Sequence, residues 1–194
     1  MAKARLRRQR IAARDEIGQD GRDAQAREIA EGLLRWVAVR DLPAGATAAA
    51  YVGVGTEPST ETLLAELDQQ GVRILLPRWR PRSAEMDWAL YTGPEDLSEA
   101  AAGLREPRGD ALGAGAIADA TVIVVPALAV DRAGNRLGRG AGAYDVALRR
   151  AAPHARTVAL LYTGELVDEL PAEPHDRPVS AVAMPGGVVE LGPG

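Results

Sequence analysis

The sequence contains no cysteine among its 194 residues. A disulfide framework, a cysteine-based zinc or redox site and a thiol nucleophile are therefore excluded. Any chemistry must come from carboxylates, arginines, hydroxyl groups or a bound cofactor. The lack of cysteine also fits a reducing compartment.

Long apolar runs are absent as well, and no segment reaches the length of a transmembrane helix. The first 17 residues carry the positive charges of a signal peptide, but no apolar segment follows them. We therefore expect a cytoplasmic protein that does not associate with a membrane. Apolar residues make up 46% of the chain and charged residues 26%, and the net charge is -4, as in ordinary globular proteins.

Lysine is nearly absent: of the 23 cationic residues, only Lys3 is a lysine. On a helical wheel one basic stripe contains Lys3, Arg7, Arg10 and Arg14. It lies beside an apolar stripe, so its members can reach into a cleft. We interpret Lys3 and Arg7 as cleft residues and Arg10 and Arg14 as part of a solvated basic face.

Short apolar runs alternate with amphipathic segments along the chain. Strands are predicted at residues 47–52, 72–77, 86–91, 121–126, 156–162 and 180–185. Helices are predicted at residues 3–17, 22–39, about 58–71 and about 144–152. Residues 93–116 give no clear pattern.

This alternation predicts an α/β fold with three layers. We expect a mostly parallel central sheet with helices on both faces, preceded by two N-terminal helices. At this length a single domain over residues 1–194 is expected, with a helical part at 1–40 and an α/β core at 46–190.

The most unusual segment is NRLGRGAGAYDVALRR, residues 135–150, which follows the strand predicted at 121–126. Ligands of α/β sheets bind beyond the carboxyl ends of the strands, where the strand order reverses. Glycines let backbone N–H groups approach an anion closely, and a helix predicted from about Tyr144 adds its positive end. The glycines of this region are Gly134, Gly138, Gly140 and Gly142.

The charged residues of the same segment suit a bound polyphosphate. Arg136 and Arg139 can donate two hydrogen bonds each to phosphate oxygens, and Asp145 beside them can bind magnesium. The G-x-G-x-G spacing matches neither a Walker A loop nor a dinucleotide fingerprint. A glycine-rich turn with solvated arginines therefore remains an alternative on this segment alone.

Four motifs together carry a family resemblance. They are KARLR at 3–7, PRWRP at 77–81 with Met86 and Asp87 behind it, VDRAGNRLGRGAGAYD at 130–145, and ELPAEPHDRPV at 169–179. In this order they resemble the 5-formyltetrahydrofolate cyclo-ligase family, also called methenyltetrahydrofolate synthetase. The motif at 130–145 is the most specific of the four, and we call its residues 134–142 the glycine loop. Lys3 falls where the family keeps a phosphate-contacting lysine.

The resemblance implies an ATP- and magnesium-dependent ligase. Such an enzyme converts 5-formyltetrahydrofolate, with or without a polyglutamate tail, to 5,10-methenyltetrahydrofolate, ADP and phosphate. A formamide oxygen is a poor leaving group, so its phosphorylation would let N10 of the same folate close the ring. The protein needs no covalent nucleophile for this reaction. We expect it to act as a monomer that does not bind nucleic acid.

The resemblance also implies roles for individual residues. The catalytic cations would be Lys3, Arg136 and Arg139. The nucleotide would be bound by Lys3, Arg7, Gly134, Arg136, Leu137, Gly138, Arg139, Gly140, Ala141, Gly142, Ala143 and Tyr144. The folate would be bound by Tyr51, Val52, Glu57, Trp79, Arg139, Gly140, Ala141, Gly142 and Ala143. Magnesium would be bound by Asp145 and Ser180.

Some of these roles have simpler alternatives. Glu57 matches the family glutamate whose carboxylate pairs with the amino and N–H donors of the pterin, but it could also be a helix-terminal charge. Tyr51 and Trp79 could be ordinary core residues. His175 and Asp176 match a family loop to which we assign a structural role near the nucleotide, and His154 is expected at the surface.

The chain also departs from the family pattern at four positions. Ala141 replaces a lysine or glycine, Ala143 an aromatic residue, and Trp79 the usual tyrosine. Ser180 stands where the family has a late aspartate, a second magnesium ligand, so one negative charge is lost. Asp145 with the triphosphate could suffice, since magnesium keeps several waters.

Three functions follow from the sequence. The first is an active cyclo-ligase. The second is a homologue that binds ATP or formyl-folate without turnover, which Ala143 and Ser180 would explain. The third is a nucleic-acid accessory module that uses the arginine-rich first helix, which the acidic net charge and the lack of interleaved aromatic residues disfavour.

Overall fold

The structure is a computed structural model that describes residues 2–80, 85–100, 103–173 and 176–192. In chain order the strands are β1 (Thr47–Ala49), β2 (Arg73–Trp79), β3 (Met86–Leu90), β4 (Leu97–Glu99), β5 (Arg105–Pro107), β6 (Val122–Pro126), β7 (Ala129–Asp131), β8 (Arg136–Leu137), β9 (Arg156–Leu160), β10 (Leu166–Val167), β11 (Ala181–Met184) and β12 (Gly187–Glu190). The helices are α1 (Ala2–Glu16), α2 (Gly18–Arg35), α3 (Val37–Arg40), α4 (Glu61–Gln69) and α5 (Ala143–Leu148).

A seven-stranded sheet forms the centre of the molecule, in the order β12-β11-β9-β6-β1-β2-β3. The five inner strands are parallel, and β3 and β12 pair antiparallel at the two edges. From β1 the chain adds strands toward one edge, and from β6 it adds them toward the other. The strand order therefore reverses between β1 and β6, which opens a crevice at their carboxyl ends.

Apolar side chains bury both faces of the sheet. In β6, Val122 and Val124 pack with the leucines of α2 and α4, whereas Ile123 and Val125 pack with α5 and a 3₁₀ helix at Ala114–Asp119. All four of these β6 residues are at most 1% exposed, as expected for a central parallel strand. The predicted three-layer α/β fold is confirmed.

The six predicted strands are all present, but the structure contains more elements than the sequence pattern shows. Two small sheets, β10-β7-β8 and β4-β5, consist of strands of two or three residues. The second predicted helix is interrupted at Trp36, whose backbone is extended (φ -65°, ψ 132°), so that α3 is separate. The helix predicted to reach residue 152 ends at Leu148. No helix in the described ranges is long and apolar enough to cross a membrane.

The first helix is attached to the core through a buried ion pair. Arg14 is 1% exposed, and its Nε and Nη2 contact the two carboxylate oxygens of Glu165 at 2.6 and 2.7 Å. Nη2 also donates to the carbonyl of Ala127 at 2.6 Å. The prediction that Arg14 belongs to a solvated face is therefore wrong. Arg10 is half-buried, and its Nη1 donates to the carbonyl of Gly164 at 3.0 Å.

Removal of one partner of this pair should destabilise the protein strongly. We expect Glu165→Ala to lower the free energy of unfolding by about 3–5 kcal/mol, because the Arg14 charge would remain buried without its partner. Urea denaturation measures this change. Glu31→Ala, which breaks the exposed Arg35–Glu31 pair on α2, should change the free energy by less than about 0.5 kcal/mol. Equal losses of unfolding free energy in the two variants would contradict the conclusion that the Arg14–Glu165 pair anchors the first helix.

Candidate active site

A cleft of about 320 Å³ lies at the carboxyl ends of β1 and β6. This volume is within the range of small-molecule sites. Tyr51 and Val52 follow β1 and line one part of the cleft, and Ala127 and Leu128 follow β6 and line another. The cleft therefore occupies the crevice that the reversed strand order creates.

Most residues predicted for the site line this cleft. They are Lys3, Arg7, Tyr51, Val52, Glu57, Trp79, Arg136, Gly138, Arg139, Gly140, Ala141, Gly142, Ala143, Tyr144 and Asp145. Gly134, Leu137 and Ser180 are not among its lining residues. The structure thus brings together residues from α1, the segment after β1, the end of β2 and the glycine loop.

The glycine loop depends on its lack of side chains. Gly140 (φ 108°) and Gly142 (φ 70°) adopt left-handed backbone angles that favour glycine. Arg7 of α1 donates from Nε to the carbonyl of Gly138 at 2.8 Å. A Cβ atom on Gly140 would lie 3.2 Å from Arg7 Cζ, so the glycine permits this close approach. The loop and the first helix therefore form one wall of the cleft together.

Two of the predicted phosphate-binding cations are paired with carboxylates. Lys3 Nζ lies 2.8 Å from both Glu173 and Asp176. Partial burial lowers the pKa of Lys3, but its hydrogen bonds to Asp176 and Glu173 outweigh this and raise the pKa above its ordinary value. Arg136 Nη2 donates to Asp145 Oδ1 at 2.9 Å. The protein itself thus supplies anions beside these cations.

An ion pair joins the predicted nucleotide residues to the predicted pterin residues. Arg139 Nε donates to Glu57 Oε1 at 2.8 Å, and the N–H of Val54 donates to Glu57 Oε2 at 3.1 Å. The Glu57 side chain is only 9% exposed, whereas Arg139 is 48% exposed. Glu57 is therefore held in the cleft rather than left as a solvated helix charge.

Three aromatic side chains line the cleft together with Glu57. Tyr51 belongs to the core and also lines the cleft, and its hydroxyl has no hydrogen-bond partner among the described residues. Burial raises the pKa of Tyr51 and of Tyr144, and the nearby Glu57 carboxylate raises both further. Trp79 is 37% exposed at the rim, so a purely core role does not fit it. These rings give the cleft flat apolar surfaces.

The predicted magnesium ligands occupy different environments. Asp145 lines the cleft, and its Oδ1 accepts both from Arg136 and from the N–H of Arg177. The Ser180 hydroxyl instead donates to the Thr157 carbonyl at 2.9 Å and accepts from the Thr157 N–H at 3.0 Å. The structure therefore brings Asp145 into the cleft but does not bring Ser180 there.

Gly134 and Leu137 support the loop from behind. A Cβ on Gly134 (φ 86°) would lie 2.4 Å from the carbonyl oxygen of Val179, so no larger residue fits there. Leu137 is 2% exposed and packs in a small cluster with Leu128 and Leu170. Both of these loop residues contact the protein rather than the open cleft.

The loop containing Asp176 lies partly outside the described residues. Asp176 lines the cleft and contacts Lys3, while His175 lies outside the described ranges. His154 is exposed in a turn after α5, as expected.

Asp131 supports the glycine loop and was not recognised in the sequence. It is 2% exposed, and its carboxylate accepts from the N–H groups of Ala133, Asn135 and Leu170 and from the Asn135 side chain, at 2.9–3.0 Å. The D-R-A-G-N pattern is typical of an aspartate that closes a turn on its own backbone. The contact with Leu170, 39 residues away, has no such local signal.

A family model for the 5-formyltetrahydrofolate cyclo-ligase family matches residues 1–185. The chain belongs to the 5-formyltetrahydrofolate cyclo-ligase family. A family member from Mycolicibacterium smegmatis, named 5-formyltetrahydrofolate cyclo-ligase, is 42% identical over 98% of this chain and 97% of its own length. The protein of the same name from Escherichia coli is 31% identical over 74% of this chain and 80% of its own length. The resemblance found in the four sequence motifs is confirmed.

A solved structure shows the same fold. The 5,10-methenyltetrahydrofolate synthetase of Aquifex aeolicus superposes with a TM-score of 0.82 at 25% identity, over 100% of this chain and 95% of that one. The alignment therefore includes both the N-terminal helices and the sheet. Membership in the cyclo-ligase family agrees with the order of the four sequence motifs.

Loss of the Asp131 carboxylate should loosen the glycine loop. We expect Asp131→Ala to lower the free energy of unfolding by about 4 kcal/mol, because four hydrogen bonds of about 1 kcal/mol each are lost. Hydrogen exchange of residues 133–142 should increase as well. Asp168→Ala removes an exposed carboxylate paired with Arg132 and serves as the control. Unchanged exchange in Asp131→Ala would contradict this role.

Proposed function

We propose that this chain catalyses the ATP-dependent conversion of 5-formyltetrahydrofolate to 5,10-methenyltetrahydrofolate, with release of ADP and phosphate. The observation that carries the proposal is the Arg139–Glu57 contact at 2.8 Å. It joins a residue of the predicted triphosphate loop to the predicted pterin carboxylate inside one cleft. Two substrates bound at these residues would lie close enough for direct transfer between them.

The phosphate side of the reaction would use the cations of the cleft. Lys3, Arg7, Arg136 and Arg139 line it, and the glycine loop exposes backbone N–H groups beside them. Phosphoryl transfer depends mainly on alignment of the reactants and on neutralisation of the charge on the transferred oxygens. Arginine and lysine side chains supply both, with bidentate geometry from the arginines. Lys3, Arg136 and Arg139 are therefore proposed as the catalytic cations.

The folate side would use the residues that follow β1 and end β2. Glu57 would accept from the amino and N–H donors of the pterin, and Tyr51, Val52 and Trp79 would pack against its ring. Residues 139–143 would face the formyl group. Phosphorylation of the formyl oxygen converts it to a leaving group, and N10 then attacks the activated carbon while phosphate departs. The cleft would exclude water from this intermediate by closing around both reactants.

Asp145 fits a magnesium ion bound together with a triphosphate. Magnesium binds nucleotides through one or two carboxylates plus phosphate oxygens. Asp145 lines the cleft beside the glycine loop, and its side chain is 19% exposed. The ion would supply neutralisation of phosphate charge. Ser180 was predicted as a second ligand and remains a prediction, although its hydroxyl contacts Thr157.

A binding protein without turnover is the second candidate. Ala143 is 6% exposed and packs in the core, so it offers the formyl group little of the wall that an aromatic residue would provide. Such a protein would bind ATP or formyl-folate without forming the methenyl product. We propose that in either case the chain acts as one domain and as a monomer.

The test is a spectroscopic assay of purified protein with 5-formyltetrahydrofolate, ATP and magnesium. The near-ultraviolet absorbance of the methenyl product should rise with time. Arg139→Ala and Asp145→Ala should each lower the rate about 100-fold or more, because each removes a charge that would act directly on the triphosphate.

The matched control is Arg132→Ala. Arg132 is near the same loop in sequence but is 72% exposed and does not line the cleft. Its rate should equal that of the unmodified protein. A flat absorbance trace with intact ATP binding would contradict the ligase and favour the binding protein. A rate unaffected by Arg139→Ala would contradict the proposed phosphate site.

A further inference from the structure

Three residues that line the cleft carry a buried polar atom with no hydrogen-bond partner among the described residues: Arg14, Tyr51 and Arg136. Arg136 belongs to the residues proposed to bind phosphate, whereas Arg14 has no role in the proposed reaction and Tyr51 only a packing one. Arg14 and Tyr51 both line the cleft, although they are only 1% and 3% exposed. Among the described residues, no group hydrogen-bonds Arg14 Nη1 or the Tyr51 hydroxyl. Buried polar groups in native proteins are usually satisfied, so unpaired ones in a cleft indicate a ligand that pairs with them.

The pairing of Arg14 restricts the ligand atom it can bind. Its Nε and Nη2 are fully engaged by Glu165 and the Ala127 carbonyl, which leaves Nη1 as its one nitrogen without a partner. A guanidinium nitrogen donates and never accepts. Because Glu165 already neutralises the arginine, a further buried negative charge would lack a counterion here. A neutral hydrogen-bond acceptor fits this position better than a phosphate oxygen.

Tyr51 connects this position to the predicted pterin carboxylate. Its hydroxyl, like Arg14 Nη1, can donate a hydrogen bond to an acceptor on a bound ligand. Burial raises the pKa of Tyr51, the Glu57 carboxylate raises it further, and the Arg14 guanidinium opposes this rise. The cleft therefore offers an acceptor at Glu57 and donors at Tyr51 and Arg14.

We propose that Tyr51 and Arg14 bind the ring carbonyl of the pterin, next to the edge that Glu57 would hold. On a pterin the amino group, the ring N–H and the C4 carbonyl follow one another along one edge, as two donors and one acceptor. Glu57 would accept from the two donors, and Tyr51 and Arg14 would both donate to the carbonyl. The inference rests on the proposed function and makes Tyr51 and Arg14 specificity-determining residues for a 4-oxo pterin.

The experiment compares two ligands that differ in one group. The equilibrium dissociation constants of 5-formyltetrahydrofolate and of its 4-amino analogue are measured by calorimetry, without ATP. The unmodified protein should bind the 4-oxo form at least about tenfold more tightly than the 4-amino form. The 4-amino group would place a hydrogen-bond donor against the donors of Tyr51 and Arg14, so none of these groups would find an acceptor. Tyr51→Phe and Arg14→Lys should each weaken binding of the 4-oxo form about tenfold and reduce the ratio of the two constants.

Tyr51→Phe separates binding from folding. Since no described residue hydrogen-bonds this hydroxyl, its removal should leave the urea midpoint unchanged or raise it. Arg14→Lys retains a cation beside Glu165 but lacks the Nη1 donor. Tyr91→Phe, at a buried tyrosine that does not line the cleft, is the control and should leave both constants unchanged.

The possible results distinguish this inference from the proposed function. If the unmodified protein binds the 4-oxo form and neither Tyr51→Phe nor Arg14→Lys changes the ratio, the inference is overturned and the proposed function stands. A weaker affinity of both variants for a non-hydrolysable ATP analogue, with pterin binding unchanged, also overturns it. If the unmodified protein binds neither pterin, the proposed function fails and the inference fails with it.

Discussion

Repulsion among the five cations that α1 and the glycine loop bring into one cleft is the constraint on which the site depends. Like charges in a partly buried site repel strongly unless each has a partner. Each cation here has one. Lys3 contacts Glu173 and Asp176, Arg7 the Gly138 carbonyl, Arg14 Glu165, Arg136 Asp145, and Arg139 Glu57. Under the proposed function, phosphate oxygens would replace carboxylates as partners of the cations, and the pterin donors would replace Arg139 as the partner of Glu57.

These partners meet because of the strand order. The reversal between β1 and β6 places the segment with Tyr51 and Glu57 opposite the loop that follows β6. The first helix completes the cleft, since Arg7 contacts the glycine loop and Arg14 is anchored to Glu165 below it. Glycine is favoured at Gly140 because its backbone angle (φ 108°) suits glycine and because a Cβ there would lie 3.2 Å from Arg7 Cζ. Sheet topology, helix docking and loop composition are thus parts of one arrangement.

The parts of this arrangement that the sequence predicts are those with a local signature. Strands such as β6 are continuous β-branched runs, and the glycine loop differs in composition from its surroundings. Short strands such as β7 and β8 have too few residues for a periodic pattern, because they depend on pairing with each other. Arg14 was misjudged because its partner Glu165 is 151 residues away, and nothing in the helix indicates it. The burial of a charged residue such as Arg14 depends on a partner far away in the chain, and a single sequence does not show which residues will pair.

The proposed reaction depends on transfer of a phosphoryl group from ATP to the formyl oxygen within this cleft. It is tested most directly with 5-formyltetrahydrofolate labelled with ¹⁸O in the formyl group, ATP and magnesium, and mass spectrometry of the products. The label should leave with the released phosphate, with one labelled oxygen for each methenyl product formed. Methenyl product accompanied by unlabelled phosphate would contradict it, because the formyl oxygen would then have departed without being phosphorylated.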